Sequence, residues 1–115
     1  KFSRDYIFVE DAARAYAMLG ERVYNDSKVH GEAFNFSYER PMSTLDVVNR
    51  ILSEMDNSGL KPQILNTAKN EIPHQYLSAS KARERLGWQP VFDFDQGLRR
   101  TIPWYVELLD TNESA

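Results

Sequence analysis

Residues 80–90, Ser-Lys-Ala-Arg-Glu-Arg-Leu-Gly-Trp-Gln-Pro, constrain the fold more than any other stretch of this chain. The serines of Ser78-Ala79-Ser80 offer an N-cap, a short helix follows, Gly87 sits just past its end and Pro90 bars its continuation. Ala82 and Leu86 lie four apart on one face, with Lys81, Arg83, Glu84 and Arg85 off it. A helix this short is not stable in water alone, so its apolar face must be covered. The sequence offers the next helix as the cover. Asp93 opens that helix, Gln96 completes a capping box, and Leu98, Ile102, Tyr105 and Leu109 follow at helical spacing. Trp88 stands between the two as a wedge.

Upstream, apolar and aromatic runs at Tyr6–Val9, Ala33–Phe36 and Pro62–Leu65 predict three short strands. Asp11 is the expected cap of a helix whose face is Ala12, Tyr16, Leu19 and Val23, stopped by Asn25-Asp26-Ser27. Ser43, with Asp46 three residues on, opens another helix carrying Leu45, Val48, Leu52 and Met55, with Asn57-Ser58-Gly59 as its stop. Asn66 to Asn70 reads as a loop, and the tail after Asp110 is polar. Strands alternating with helices, and a helical C-terminus, give the α/β class.

A chain of 115 residues is one domain, ordinary in its 42% hydrophobic and 27% charged content. A net charge of −3 without a basic run argues against nucleic acid, and no apolar run reaches membrane-spanning length. Without cysteine there is no disulfide, zinc–thiolate site or thiol nucleophile. No signal peptide is legible, and the expectation is a cytoplasmic protein. The start at Lys1, without an initiator Met, leads to the expectation of a fragment.

Four blocks, RDYIFVED (4–11), GEAFNFS (31–37), SKARERLGWQP (80–90) and DQGLRRTIPWY (95–105), resemble in order the C-terminal end of the extended short-chain dehydrogenases/reductases. That family includes the NAD-dependent nucleotide-sugar epimerases and 4,6-dehydratases. The wording of GEAFNFS and of HQYLS (74–78) looks most like the CDP-/GDP-sugar 4,6-dehydratase branch. The resemblance implies the C-terminal part of a Rossmann-type enzyme, with residues 1–115 a single substrate-binding segment. The dinucleotide-binding domain, which would hold NAD(P), is expected to be absent from this chain. It also implies a nucleoside diphosphate sugar as ligand and a homodimeric parent. A freestanding, non-catalytic binding or assembly module derived from that domain is the alternative.

The glycines, at 20, 31, 59, 87 and 97, are too far apart for a phosphate-cradling loop. Tyr24 and Lys28 match the spacing of the family's catalytic Tyr-x-x-x-Lys. The intervening Asn-Asp-Ser breaks the helix that would hold the pair one turn apart, so the match is rejected and no catalytic residue is assigned. His30 and His74 have no neighbouring ligand at metal spacing.

Arg4 is the foremost site candidate. The resemblance implies that it reaches the diphosphate, for which a planar, permanently charged guanidinium is suited. The plain alternative is a surface arginine paired with Asp5 or Glu10. In the loop at 69–75, Glu71 matches the family's acidic position, which takes the ribose hydroxyls. The arginine position falls on Ala68 beside Lys69, and the aromatic position on Gln75. The expected substrate-binding set is therefore Arg4, Glu71, Lys69 and Gln75, with no cofactor-binding or metal residue. The aromatic residues from Tyr76 to Tyr105 are read as core.

Overall fold

The computed structural model describes residues 2–56, 59–67 and 69–113. Strand β1 (Ser3–Arg4) is followed by helix α1 (Val9–Asn25), a 3-10 turn (Ser27–Val29), strand β2 (Met42–Ser43) and helix α2 (Thr44–Glu54). Strand β3 (His74–Gln75) and helices α3 (Ser80–Leu86) and α4 (Phe94–Glu113) complete the chain. The class is α/β, as expected.

Its sheet is not built from the segments expected. The order is β2-β1-β3, with β1 antiparallel to β2 (Ser3 opposite Ser43, Arg4 opposite Met42) and parallel to β3 (Ser3 opposite His74, Arg4 opposite Gln75). Tyr6–Phe8, Ala33–Phe36 and Pro62–Leu65 form no ladder, and Val9 belongs to α1. The apolar runs at 6–8 and 33–36 report burial, not strand pairing. Tyr6 packs edge-on to Phe94 at 6.2 Å between centroids and Phe8 to Phe92 at 5.1 Å, while Phe34 and Phe36 pack on the core. Ile64 and Leu65 lie exposed.

The core lies between α1 and α3. Ala15, Val29, Ala79, Ala82, Leu86 and Trp88 are buried, with Ile7, Met18, Leu19, Phe34, Phe36 and Tyr38 packed around them. Alanines at 15, 79 and 82 let the elements approach closely, and Trp88 fills the space behind them, edge-on to Phe36 at 5.3 Å. The cover of α3 is thus α1, where α4 was expected; α4 packs instead on α2. The stop of α3 is as read: Gly87 adopts φ 71°, and the Trp88 N–H reaches back to the Ala82 carbonyl. Its start is not as read: the helix opens at Ala79, whose side chain makes no cap, and the Ser78 hydroxyl accepts the Ser80 N–H.

Asp11 corrects both the cap and the face assigned to α1. The helix opens at Phe8, whose side chain makes no cap, and Asp11 lies in the first turn, buried. Its carboxylate accepts the Val91 N–H (2.9 Å), the Phe92 N–H (3.1 Å) and the Tyr38 hydroxyl (2.7 Å). Turning Asp11 inward fixes the rotation of the helix, so Ala15, Met18 and Leu19 face the core while Tyr16 and Val23 are exposed. Burial, and then the bond to Asp11, push the Tyr38 phenol well above its usual range.

The box at α4 forms in full, while at α2 the Ser43 hydroxyl caps the helix and donates to Asp46 Oδ2. Ser43 accepts the Asp46 N–H at 3.1 Å, and Asp93 and Gln96 exchange side-chain bonds with each other's N–H. The predicted stop of α2 at Asn57-Ser58 lies outside the described residues; the helix itself ends at Glu54. Gly97 is buried against Phe8, and a Cβ there would stand 2.8 Å from Phe8 Cβ.

Candidate functional site

The three-stranded sheet gathers most of the candidate residues. Arg4, at the end of β1, sends its side chain toward the segment that leads into β3. Nη1 donates to the carbonyls of Ser3 (2.8 Å) and Ile72 (2.9 Å), and Nη2 donates to Glu71 Oε2 (2.9 Å). Its partner is therefore Glu71, neither Asp5 nor Glu10. Gln75 stands opposite Arg4 across the β1–β3 register, and Lys69 is exposed two residues before Glu71. Ala68 lies outside the described residues.

The chemistry of this edge follows from the donor count. A guanidinium has five N–H groups. Two on Nη1 and one on Nη2 are used, leaving Nε–H and one on Nη2, with more than a quarter of the side chain exposed. Glu71, half exposed, keeps Oε1 as an acceptor. A fixed cation with two donors beside a carboxylate with a spare oxygen can hold an anion and a neighbouring hydroxyl together. His74 joins the same sheet, its Nδ1 at 2.9 Å from Ser3 Oγ. Its register opposite Ser3 is invisible in the sequence because the β3 pairing is long-range.

Asp5 is bonded elsewhere. The Ser37 hydroxyl reaches both Asp5 Oδ2 and the Leu77 carbonyl (3.1 Å), so it lies between 5 and 77, while Asp5 Oδ1 is buried without a partner among the described residues. Glu39 is a structural clamp that sequence reading missed. In the left-handed region at φ 55°, it accepts the Ala79 N–H (3.0 Å) and the Ser78 hydroxyl (3.1 Å) on Oε1 and pairs with Arg83 through Oε2. The hydrogen bond from Arg83, then that from the Ala79 N–H, hold its carboxyl below the usual carboxylate range. Forty residues separate clamp and helix start, and no local signal links them.

Tyr24 is 90% exposed on the last turn of α1, and Lys28 lies beyond the end of that helix in the 3-10 turn. The pair does not share a helix. None of the helix openings at Phe8, Ser43 and Ala79 is fronted by closely spaced glycines, so these residues do not fit the pyrophosphate of a dinucleotide. Among the described residues no group of three or more His, Cys, Asp or Glu side chains could hold a metal ion, and no helix is long and apolar enough to cross a membrane.

No family model matches the chain. Curated proteins do. It is 30% identical over 90% of its length to a probable dTDP-glucose 4,6-dehydratase of Sinorhizobium fredii, covering 30% of that protein. The dTDP-glucose 4,6-dehydratases of Haemophilus influenzae and Salmonella typhimurium are 32% and 33% identical, each over 90% of this chain. Over most of its length the chain is thus similar to part of the dTDP-glucose 4,6-dehydratases. The match agrees with the resemblance carried by the four sequence blocks to this group within the short-chain dehydrogenases/reductases. The named sugar differs from the branch expected: these relatives carry dTDP-glucose in their names, not a CDP- or GDP-sugar. The chain spans about 30% of the length of the curated relatives it matches.

Proposed function

We propose that this dehydratase-related segment is the substrate-binding part of an NAD(P)-dependent nucleotide-sugar 4,6-dehydratase or epimerase. Arg4 holds the diphosphate, Glu71 a hydroxyl beside it, and Lys69 and Gln75 complete the edge. The observation that carries the reading is the Arg4–Glu71 pair with its remaining donors and acceptor. The hydride chemistry belongs to NAD(P), held by a dinucleotide-binding domain that these residues do not form. The shape of the chain supports a docked existence over a freestanding module. Its radius of gyration is 17.6 Å, against about 13 Å for a compact domain of this length. Large apolar side chains along α4, Trp104, Tyr105, Val106, Leu108 and Leu109, are exposed.

Calorimetric titration of the protein with a dTDP-sugar and a GDP-sugar tests this. Arg4→Ala is expected to weaken binding about ten- to a hundredfold, the value of a charge-assisted bond to phosphate. Stability should change by about 1 kcal/mol or less, since the pair with Glu71 is solvent-exposed. Arg4→Lys restores only part of the affinity, because a point charge does not reproduce the fork. An unchanged affinity with a stability loss above about 2 kcal/mol would place Arg4 in the fold alone.

A further inference from the structure

On the other side of β1 from the Arg4–Glu71 pair lies a cavity of about 450 Å³ whose walls include Tyr6, Tyr38, Phe92 and Phe94. That volume is within the range of pockets that enclose small organic ligands. Met42, the residue opposite Arg4 in the β1–β2 pairing, lines it, but Arg4 does not. Tyr6, two residues past β1, and Arg40, two residues before β2, both line the cavity.

The side chains around it are not equally available. The Tyr38 hydroxyl is bonded to Asp11 and the Phe8 N–H, and Phe92 lies under the Arg100 guanidinium at 4.6 Å and against Phe8. Phe94 is covered by Arg50 at 5.7 Å, and Arg50 is itself fixed by Asp95 at 2.5 Å. Asp93 is at work as the cap of α4 through Oδ1, which leaves Oδ2 as an acceptor. What remains is the half-buried ring of Tyr6, engaged only in the edge contact with Phe94, the second oxygen of Asp93, and Arg40, whose guanidinium has no hydrogen-bond or ion-pair partner among the described residues. Arg40 also follows Glu39, which is held in the left-handed region by its clamp on α3, and precedes Pro41. Its backbone is therefore pinned on both sides, so less freedom is lost on binding.

We infer that this cavity is a second ligand site, separate from the Arg4 edge, for a planar heteroaromatic ring carrying a phosphate arm. The ring lies against Tyr6, a ring N–H or exocyclic amine donates to Asp93 Oδ2, and the phosphate takes the guanidinium fork of Arg40. Two cations and two carboxylates line the cavity, and Asp95 is already neutralised by Arg50. A ligand that is both donor and anion fits that pattern, whereas inorganic phosphate alone meets Asp93 without compensation.

Heteronuclear NMR titration of the full chain with adenosine and uridine 5′-monophosphates, with inorganic phosphate as control, tests this. Saturating shifts are expected at residues 6, 40 and 92–95 with the nucleotides and not with phosphate. Arg40→Ala should weaken nucleotide binding read at residues 6, 40 and 92–95 about tenfold or more, and Arg40→Lys by less. Shifts confined to the surroundings of Arg4 and Glu71, equal affinity in Arg40→Ala and wild type, or no saturable shift at millimolar nucleotide would overturn the second site. Equal shifts with inorganic phosphate would reduce it to unspecific anion binding and overturn it as well. The Arg4 reading is tested apart from this, by the sugar-nucleotide titration of Arg4→Ala.

Discussion

The two helix pairs of this chain are held together by different physics. Between α1 and α3 the contact is dry: alanines bring the elements close, and Trp88 and Leu86 are buried behind them. Between α2 and α4 no residue of α2 is buried, and the contact is edged by Arg50–Asp95 and Arg99–Glu54, all partly exposed. Area removed from water contributes roughly 25 cal/mol per Å², while an exposed ion pair contributes about 0–1 kcal/mol. The stability of the chain therefore resides on the α1–α3 side. The α2–α4 side is an outer layer whose far end, from Trp104 onward, presents apolar side chains to whatever covers it.

The strongest test of that contrast is Trp88→Ala. Removing a fully buried indole should destabilise the fold by about 3–5 kcal/mol, read from denaturant midpoints. A loss below about 1 kcal/mol would move the core elsewhere.

Gly97→Ala sharpens the comparison from the other side, because Gly97 joins α4 to Phe8 and hence to the start of α1. With 2.8 Å between the new methyl carbon and Phe8 Cβ, the helix must shift. The expected destabilisation is about 1–3 kcal/mol, although alanine is the better helix former. A gain in melting temperature would mean that α4 is free to slide.

A smaller effect is expected from removing both ion pairs of the outer layer in Arg50→Ala with Arg99→Ala. Each contributes about 1 kcal/mol at most, and the difference from wild type should shrink in high salt. A joint loss matching that of Trp88→Ala would erase the contrast.

The smallest effect concerns pH. The folded Glu39 carboxyl titrates below its unfolded value because of Arg83 and the Ala79 N–H. Its contribution is complete above the unfolded carboxylate pKa, which lies near 4.5, and disappears as pH falls through the lower folded value. Melting temperatures of wild type and Glu39→Gln should therefore differ most at neutral pH and converge in acid. Curves that stay parallel down to acid pH would show that the carboxylate charge contributes nothing to the clamp.

Helix ends were readable because their chemistry is local. Ser43 with Asp46, Asp93 with Gln96, and Gly87 before Trp88 each act within a few residues, and each does in the fold what its spacing says. The family was readable for a related reason: four blocks in order survive as wording, and relatives at 30–33% identity carry the dehydratase name. The candidates Arg4, Glu71 and Gln75 came from that wording, and their meeting came from β1 lying beside β3.

What only the tertiary structure decided is everything that depends on a partner far along the chain. The apolar runs at 6–8 and 33–36 state that their side chains are buried, but a strand also needs an aligned neighbour, and the neighbours lie at Ser3–Arg4, Met42–Ser43 and His74–Gln75. The phase of α1 was set by Asp11 meeting the N–H groups of Val91 and Phe92, eighty residues on. The cover of α3 was α1, where the next helix in sequence had the right periodicity but packed elsewhere. Periodicity states that a face must be covered; the choice of cover is a long-range packing solution, because any apolar face of suitable shape meets the same local requirement.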